Sequence, residues 1–353
     1  MKVQSVCLKN FKCFRDKLLD FTDPETGKAK DMILLMGMNG SGKTSILQAI
    51  AAVLGNATGR LEKISDLDWP GFDSDLVGAN SRIPTTIEIQ TEFSDDEINA
   101  TQKFCQLLKE QDKSFIIPSN KSVITLKMKE NKVFADSPYE LFQCKGWEYA
   151  KQLCKFHNEG YKIFEQIGTV FWYTEQRTST SLTSEDNSKK IEITDNLLRD
   201  RLSKFAFFHH QLAGGKIQNL RQGQKDLFSE LQKAYGEVFP GRSFIGPVPR
   251  NDIDGIMSEL WFYLYDGQYE YEISEMSGGE RAIFPILFDF VNWNIHNSVI
   301  LIDEIELHLH PPLQQGFIRA LKKLGKNNQF IITAHSDHIA HIVPNDSIIW
   351  IEE

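Results

Sequence analysis

At 353 residues the chain exceeds a typical single domain, so one large domain carrying an inserted lobe, or two domains, is expected. Its 41% hydrophobic and 25% charged residues are ordinary for a soluble globular protein, and no run approaches the roughly 18 apolar residues that span a bilayer. The formal charge of −9 removes any global electrostatic reason to bind nucleic acid.

The opening MKVQSVCLKNFKCF has no apolar core of signal-peptide length, which points to the cytoplasm and away from a membrane. Residues 3–9 (VQSVCLK) read as a strand, and Phe11-Lys12-Cys13-Phe14 continues the extended pattern. Residues 32–36 (MILLM) form a continuous apolar run, as a strand covered on both faces does. Directly after it, Gly37-Met38-Asn39-Gly40-Ser41-Gly42-Lys43-Thr44 fits the phosphate-loop pattern G-x-x-x-x-G-K-[ST] without a mismatch. Glycines let the backbone wrap a phosphate chain, so that successive N–H groups and the next helix's N-terminus face the anion. Lys43 is then expected on the β- and γ-phosphates of ATP, and the Thr44 hydroxyl on Mg2+. The helix that follows has Ile46, Leu47, Ile50, Val53 and Leu54 on one face, with Gly55 placed to end it.

From residue 57 to 269 the character changes. Thr85–Phe93 alternates like a half-buried strand, Glu97–Lys109 reads as a helix and Ser122–Met128 as another strand; helical stretches follow over Tyr139–Phe164 and Asn196–Phe208. Lys121, Lys127, Lys129 and Lys132 form either a basic groove or, more simply, a solvated strand face. The five cysteines are scattered without a C-x-x-C pair, which suits reduced thiols. Cys144, Cys154 and His157 hint at a metal site, but structural zinc takes four ligands at tighter spacing, and buried thiols are the plainer reading. The polar segment Thr178–Ser188 is expected to be a mobile loop. Without a long heptad array or an internal repeat, the stretch is expected to be a compact α+β lobe and not coiled-coil arms.

Residues 270–353 return to alternating helices and strands. Ser277-Gly278-Gly279-Glu280-Arg281 opens a helix that runs to Asn292. Ser277 and Glu280 fit a capping box, and Ser277 with the Gly278 and Gly279 amides also fits an anion site; both can hold at once. The apolar strand Ser298–Ile302 ends in Asp303-Glu304, which brings two carboxylates to the sheet edge where α/β ligands bind. Asp303 is expected to hold magnesium through water, and Glu304 to orient and deprotonate an attacking water. Pro311–Leu324 reads as a helix that stops at Gly325, and Gln329–Thr333 and Ser347–Ile351 as two further strands. Residues 1–56 and 270–353 should therefore form one α/β P-loop core assembled from both termini, with 57–269 inserted. GTP is disfavoured, because Asn120-Lys121-Ser122-Val123 lacks the acid of a guanine-reading motif and no apolar strand precedes Asp75-Leu76-Val77-Gly78.

Taken in order, these motifs resemble the ABC-type ATPase heads, and more closely the RecF, SMC and overcoming-lysogenization-defect group. The carriers are Leu8–Phe14 (LKNFKCF), the phosphate loop, Ser277–Glu280 (SGGE), the run Asp303–Pro311 (DEIELHLHP) and Thr333-Ala334-His335-Ser336. The group's acidic motif is D-E-P-E-x-x-L-H-P, so Ile305 stands where proline is usual. The resemblance implies a mixed-sheet head that binds ATP and Mg2+, with His335 as the switch histidine that senses the γ-phosphate. It also implies a glutamine-loop residue, for which Gln176 is the candidate and Gln90 the alternative. His338 and His341 trail His335 at helical spacing and read as a helix face beside the switch sooner than as a metal cluster. A homodimer or higher oligomer is implied, in which each ATP is sandwiched between one phosphate loop and the other copy's Ser277–Glu280. With one strand after His335, no acidic nuclease domain is expected within the chain. Two functions follow from the resemblance. One is an ATPase subunit that gates a separately encoded effector, a nuclease or toxin, in bacterial anti-phage defence. The other is a RecF-like ATPase of DNA repair that clamps DNA directly, with DNA or RNA as a candidate partner.

Overall fold

The computed structural model describes residues 1–73, 84–157, 160–176, 195–216, 225–251 and 257–352. In chain order the first elements are β1 (Lys2–Phe11), β2 (Phe14–Asp20), β3 (Met32–Met36), α1 (Lys43–Ala57), β4 (Thr86–Glu92), α2 (Asp95–Gln111), β5 (Val123–Lys129), β6 (Lys132–Phe134), α3 (Pro138–Gln143), α4 (Gly146–His157) and β7 (Val170–Tyr173). There follow α5 (Asp195–Ala213), α6 (Leu227–Val238), β8 (Ser243–Asn251), β9 (Met257–Tyr265), β10 (Glu270–Glu272) and α7 (Gly278–Asn292). The last are β11 (Val299–Ile302), α8 (Pro311–Leu321), β12 (Gln329–Ala334), α9 (Asp337–Ala340) and β13 (Ile348–Trp350). They fall into two compact units: unit 1 is Met1–Glu175, Ile295–Glu306 and Gly325–Glu353, and unit 2 is Gln176–Asn294 and Leu307–Leu324.

Unit 1 is two sheets with a helix between them. An antiparallel sheet runs β2-β1-β4-β5-β6, and a parallel sheet runs β13-β3-β12-β11-β7. Along the antiparallel strands apolar and polar residues alternate, and Val6, Leu8, Ile87, Ile89, Ile124, Leu126 and Met128 all turn to one core. The parallel strands supply Ile33, Leu35, Val299, Leu301 and Ile331 to the same core. Helix α1 packs against strands of both sheets. Its Ala49, Ile50, Ala51, Ala52, Val53 and Leu54 are all fully buried, as a helix apolar around its whole circumference must be. The continuous apolar runs of β3 and β11 have the same cause: every residue in them is buried.

Unit 2 packs α5, α6, α7 and α8 with a small antiparallel sheet, β10-β9-β8. Its core is aromatic: Phe205 stacks on Phe288 at 5.7 Å, and Phe244 meets Tyr235 at 5.2 Å and Phe228 and Phe262 each at 5.8 Å. Among the described residues no helix is long and apolar enough to cross a membrane.

The structure departs from the sequence reading in several places. The division at 56/57 and 269/270 does not hold: residues 57–175 belong with unit 1, because β4 pairs with β1 from Lys2↔Glu92 to Lys9↔Thr86 and β5 and β6 extend that sheet. Conversely, 270–294 and 307–324 belong with unit 2. Phe11–Phe14 is not extended; Lys12 (φ 50°) turns the chain into a hairpin between β1 and β2. Helix α1 continues through Gly55 to Ala57, because Gly55 is buried under Leu61, whose Cδ1 would lie 2.7 Å from any Cβ there. The helical stretch 139–164 is broken into α3, α4 and a short 3-10 turn, Tyr161–Gln166. The segment Thr178–Ser188, Asp75 and the side chain of His157 lie outside the described residues. Cys144 is buried, and that burial, seconded by Glu97, pushes its thiol up to about 12.

The sandwiching of α1 makes a direct prediction. Ile50→Ala removes a fully buried side chain from the layer shared by both sheets and is expected to destabilise the protein by about 2–5 kcal/mol in chemical denaturation.

Candidate active site

Strand β3 runs into the loop 37–42, and α1 starts at Lys43 with Gly42 as its N-cap in the left-handed conformation, φ 94°. A Cβ on Gly42 would stand 2.5 Å from Cys13 Sγ and from the Phe14 ring, so both the backbone and the space demand glycine. Lys43 is buried, and its Nζ donates to the carbonyls of Gly37 (3.0 Å) and Met38 (2.8 Å). Burial pushes the Lys43 ammonium's pKa down, while Glu304, Asp303 and Glu306 act to raise it.

The adjacent parallel strands β3, β12 and β11 end on one edge of their sheet. That register sets the phosphate loop after β3, His335 after β12 and Asp303-Glu304 after β11 side by side. Thr333 joins the last two. Its hydroxyl donates to Asp303 Oδ1 at 2.6 Å and accepts the Glu304 N–H at 2.7 Å. The Thr44 hydroxyl donates to the same Oδ1 at 3.1 Å. Glu304 itself has φ 45°, a left-handed conformation uncommon for a residue with a side chain. The Ile305 N–H reaches the Thr333 carbonyl at 3.1 Å, and the His335 N–H donates to the Glu306 carboxylate. Burial, then the neighbouring Asp303, raises the Glu304 carboxyl's pKa, and His335 opposes the rise.

These groups face a cavity of about 280 Å³, lined by Asn39, Gly40, Gly42, Lys43, Thr44, Glu304, Thr333 and His335. Lys12 and Cys13 of the β1–β2 turn and Ser45 of α1 complete its wall. Three expected residues sit just behind it. Gly37 would meet the Ile351 carbonyl at 2.5 Å if it had a Cβ, Ser41 is buried in the loop, and Asp303 is buried behind Thr44. Sequence reasoning missed Thr333, Lys12, Cys13 and Ser45 as site residues. The first three lie inside quoted motifs and Ser45 directly follows one, but no motif says that the β1–β2 turn folds against Gly42 or that a threonine hydroxyl bridges two strand ends.

Gln90 lies on the exposed side of β4, where it accepts the Ser5 hydroxyl at 3.3 Å, and it is not part of the cavity. Gln176 follows the end of β7 by three positions, is exposed and belongs to unit 2. His338 and His341 are exposed on and just after the short α9. Among the described residues no group of three or more His, Cys, Asp and Glu side chains is placed to hold a metal ion.

Ser277–Glu280 belongs to unit 2, where the capping box is formed. The Ser277 Oγ accepts the Glu280 N–H at 3.3 Å, and Glu280 Oε2 accepts the Ser277 N–H at 2.9 Å and its hydroxyl at 2.7 Å. The other oxygen of Glu280 takes the Tyr235 and Tyr271 hydroxyls and the Arg242 guanidinium. Gly279 is needed for close approach, since a Cβ there would lie 2.9 Å from Leu313 Cδ2. Ser277 and Gly278 are exposed. Burial alone would raise the Glu280 carboxyl, but the hydrogen bonds from Arg242, Tyr235, Tyr271 and Ser277 prevail and hold it at about 2, against an ordinary 4.5. A depressed carboxyl stabilises the fold above its unfolded pKa, and the contribution is lost as pH falls from there through the folded value. The shift corresponds to about 3 kcal/mol. Glu280→Gln is therefore expected to lose about 3 kcal/mol in chemical denaturation at neutral pH, with the gap to the parent closing below about pH 4.5. A gap that is unchanged well below that pH would refute the charge-based account.

Comparison with known proteins bears on the family and the fold. The family profile for the AAA ATPase domain matches residues 1–340. The chain is similar to the Retron Vc95 probable ATPase of Vibrio cholerae serotype O1 biovar El Tor, with 22% identity over 100% of this chain and 74% of that protein. It is similar to the Retron Ec83 probable ATPase of Escherichia coli, with 23% identity over 99% of this chain and 71% of that protein. Among solved structures it resembles the SMC head bound to the C-terminal winged-helix domain of ScpA (TM-score 0.55, 17% identity, 97% of this chain and 93% of that one). It also resembles an SMC head with an extended coiled coil, bound to the C-terminal domain of ScpA, derived from Pyrococcus furiosus (TM-score 0.51, 16% identity, 97% and 92%). At these identities the structures speak for the fold alone, and the described residues carry no long coiled coil. A phosphate loop, an acidic strand end and a histidine gathered on one edge of an SMC-head-like sheet, within a match that spans nearly the whole chain, leave one conclusion: the chain belongs to the AAA ATPase domain family and is an ATPase.

Proposed function

We propose that the cavity of unit 1 holds the phosphates of ATP with Mg2+, and that ATP closes a head-to-tail dimer which gates a separate effector. The carrying observation is that Lys43, Thr44, Glu304 and His335 line one cavity, with Asp303 directly behind Thr44. Lys43 and the amides of the loop 40–44 would hold the β- and γ-phosphates. Thr44 and Asp303 offer two hard oxygen donors 3.1 Å apart, which fits Mg2+, an ion that takes few protein ligands. When bound, the ion neutralises charge on the phosphates. Glu304, its pKa raised, is suited to take a proton from water as that water attacks the γ-phosphorus and the bond to ADP breaks. His335, which lines the same cavity, would sense the γ-phosphate.

Ser277 and Gly278, exposed at the start of α7, are the groups that a second copy would present to the nucleotide, and Gln176 is the proposed glutamine-loop residue. The similarity to retron ATPases supports a role in anti-phage defence; the proposal adds a separately encoded nuclease or toxin as effector and a place in the cytoplasm. One observation favours the second reading, a RecF-like ATPase that holds DNA or RNA. Strand register lines up Lys9, Lys129 and Lys132 across the exposed face of the antiparallel sheet, with Lys127 and the exposed Phe134 in the next row. Glu88, paired with Lys127 at 3.7 Å, and Asp16, opposite Lys9, dilute that face.

Lys43→Ala is expected to abolish nucleotide binding. Glu304→Gln is expected to bind ATP, slow turnover by about 100-fold or more and accumulate a dimer in light scattering. A normal rate in that variant would remove Glu304 as the base. Ser277→Arg should spare nucleotide binding and block the dimer; an ATP-induced dimer in that variant would rule out the sandwich. Recovery of no partner on co-purification, together with undiminished phage resistance on deletion, would sink effector gating. ATP-stimulated DNA affinity that falls steeply with salt would favour the second reading.

A further inference from the structure

We infer that Glu306 is a positioning residue for hydrolysis, whose carboxylate latches the turn after β11 to the backbone of His335 and so holds Glu304 and His335 in one arrangement. This rests on the reading of Glu304 as the base. Glu306 is not among the residues that line the cavity, so its influence on the site passes through its neighbours.

The turn it closes is under strain. Glu304 occupies the left-handed region at φ 45°, which a glutamate adopts only where its surroundings enforce it. Two attachments, Glu304 N–H to Thr333 Oγ1 and Ile305 N–H to the Thr333 carbonyl, pin the turn to β12 itself. The third, His335 N–H to Glu306, reaches past the strand end to the switch residue. Neither of the first two constrains His335. The latch thus converts two independent loop ends into a unit in which the base and the histidine move together.

Glu306 uses only one oxygen for this. Its Oε2 is buried and has no hydrogen-bond partner among the described residues, an arrangement that costs stability. What the geometry requires is thus one acceptor at the position of Oε1. A glutamine can supply that acceptor; an alanine cannot.

The test compares Glu306→Gln and Glu306→Ala in the full chain, with Glu304→Gln alongside. Glu306→Ala is expected to lower kcat by about 10- to 100-fold, as small misplacements of reacting groups do. The Kd for a fluorescent ATP analogue should stay within about twofold, because Lys43 and the loop are untouched. Glu306→Gln should restore kcat to within about threefold. Amide hydrogen exchange at His335 should quicken in the alanine variant and stay slow in the glutamine variant. The inference is overturned if Glu306→Ala turns over normally, if it loses affinity as much as kcat, or if Glu306→Gln is as slow as the alanine variant, which would assign the role to charge. Failure of the base assignment shows separately, as normal turnover in Glu304→Gln whatever Glu306 does.

Discussion

Between the carboxyl ends of β11 and β12, the hydroxyl of Thr333 gives its proton to Asp303 and takes the N–H of Glu304, while Thr44 approaches the same carboxylate from α1. A carboxylate buried at the end of an all-apolar strand needs such donors, because a buried acceptor left without a hydrogen bond is costly. The two hydroxyls come from β12 and α1, so both reach the one carboxylate oxygen only if β3, β11 and β12 keep their register. The core beneath enforces that register. With α1 walled in by two sheets, the start of the helix cannot shift without disturbing residues such as Ile50 and Leu54 that are fully buried. Chemistry at the sheet edge is thereby tied to packing one layer below it.

The two units treat their key glutamates in opposite ways. Glu304 is half-buried beside another acid, so its proton is held more tightly and it is suited to accept one. Glu280 is wholly buried yet receives donors from Tyr235, Tyr271, Arg242 and Ser277, and it stays ionised far into acid. The first holds its proton more readily than a free glutamate does. The second is a brace that gathers α6, β10 and the base of β8 around the start of α7.

Much of the site was legible because its physics is local. A phosphate loop needs its glycines and lysine in consecutive order, and a buried parallel strand needs an unbroken apolar run, so Met32–Met36 and Val299–Ile302 were plain with the motifs attached to them. The Ser277–Glu280 cap was equally plain, because a capping box spans four residues. What stayed hidden depends on partners distant in sequence. The β1–β2 hairpin turns at Lys12, a non-glycine residue with positive φ that carries no turn signal. The unit boundaries follow from β4 joining β1, a pairing that no local pattern announces. Strand β8 contains Gly246, Pro247 and Pro249, residues that argue against a strand until β9 is seen beside it. Thr333 looked like the last residue of a strand, and only the neighbouring strand end makes it a hub.

The cap at α7 also fixes how its first turn can open. The Ser277 hydroxyl has a single proton, and it is directed to Oε2 of Glu280, while the same hydroxyl oxygen accepts the Glu280 N–H. Glu280 keeps its donors from Tyr235, Tyr271 and Arg242 if that proton is withdrawn, so the hydroxyl can turn away without leaving the buried carboxylate unsatisfied.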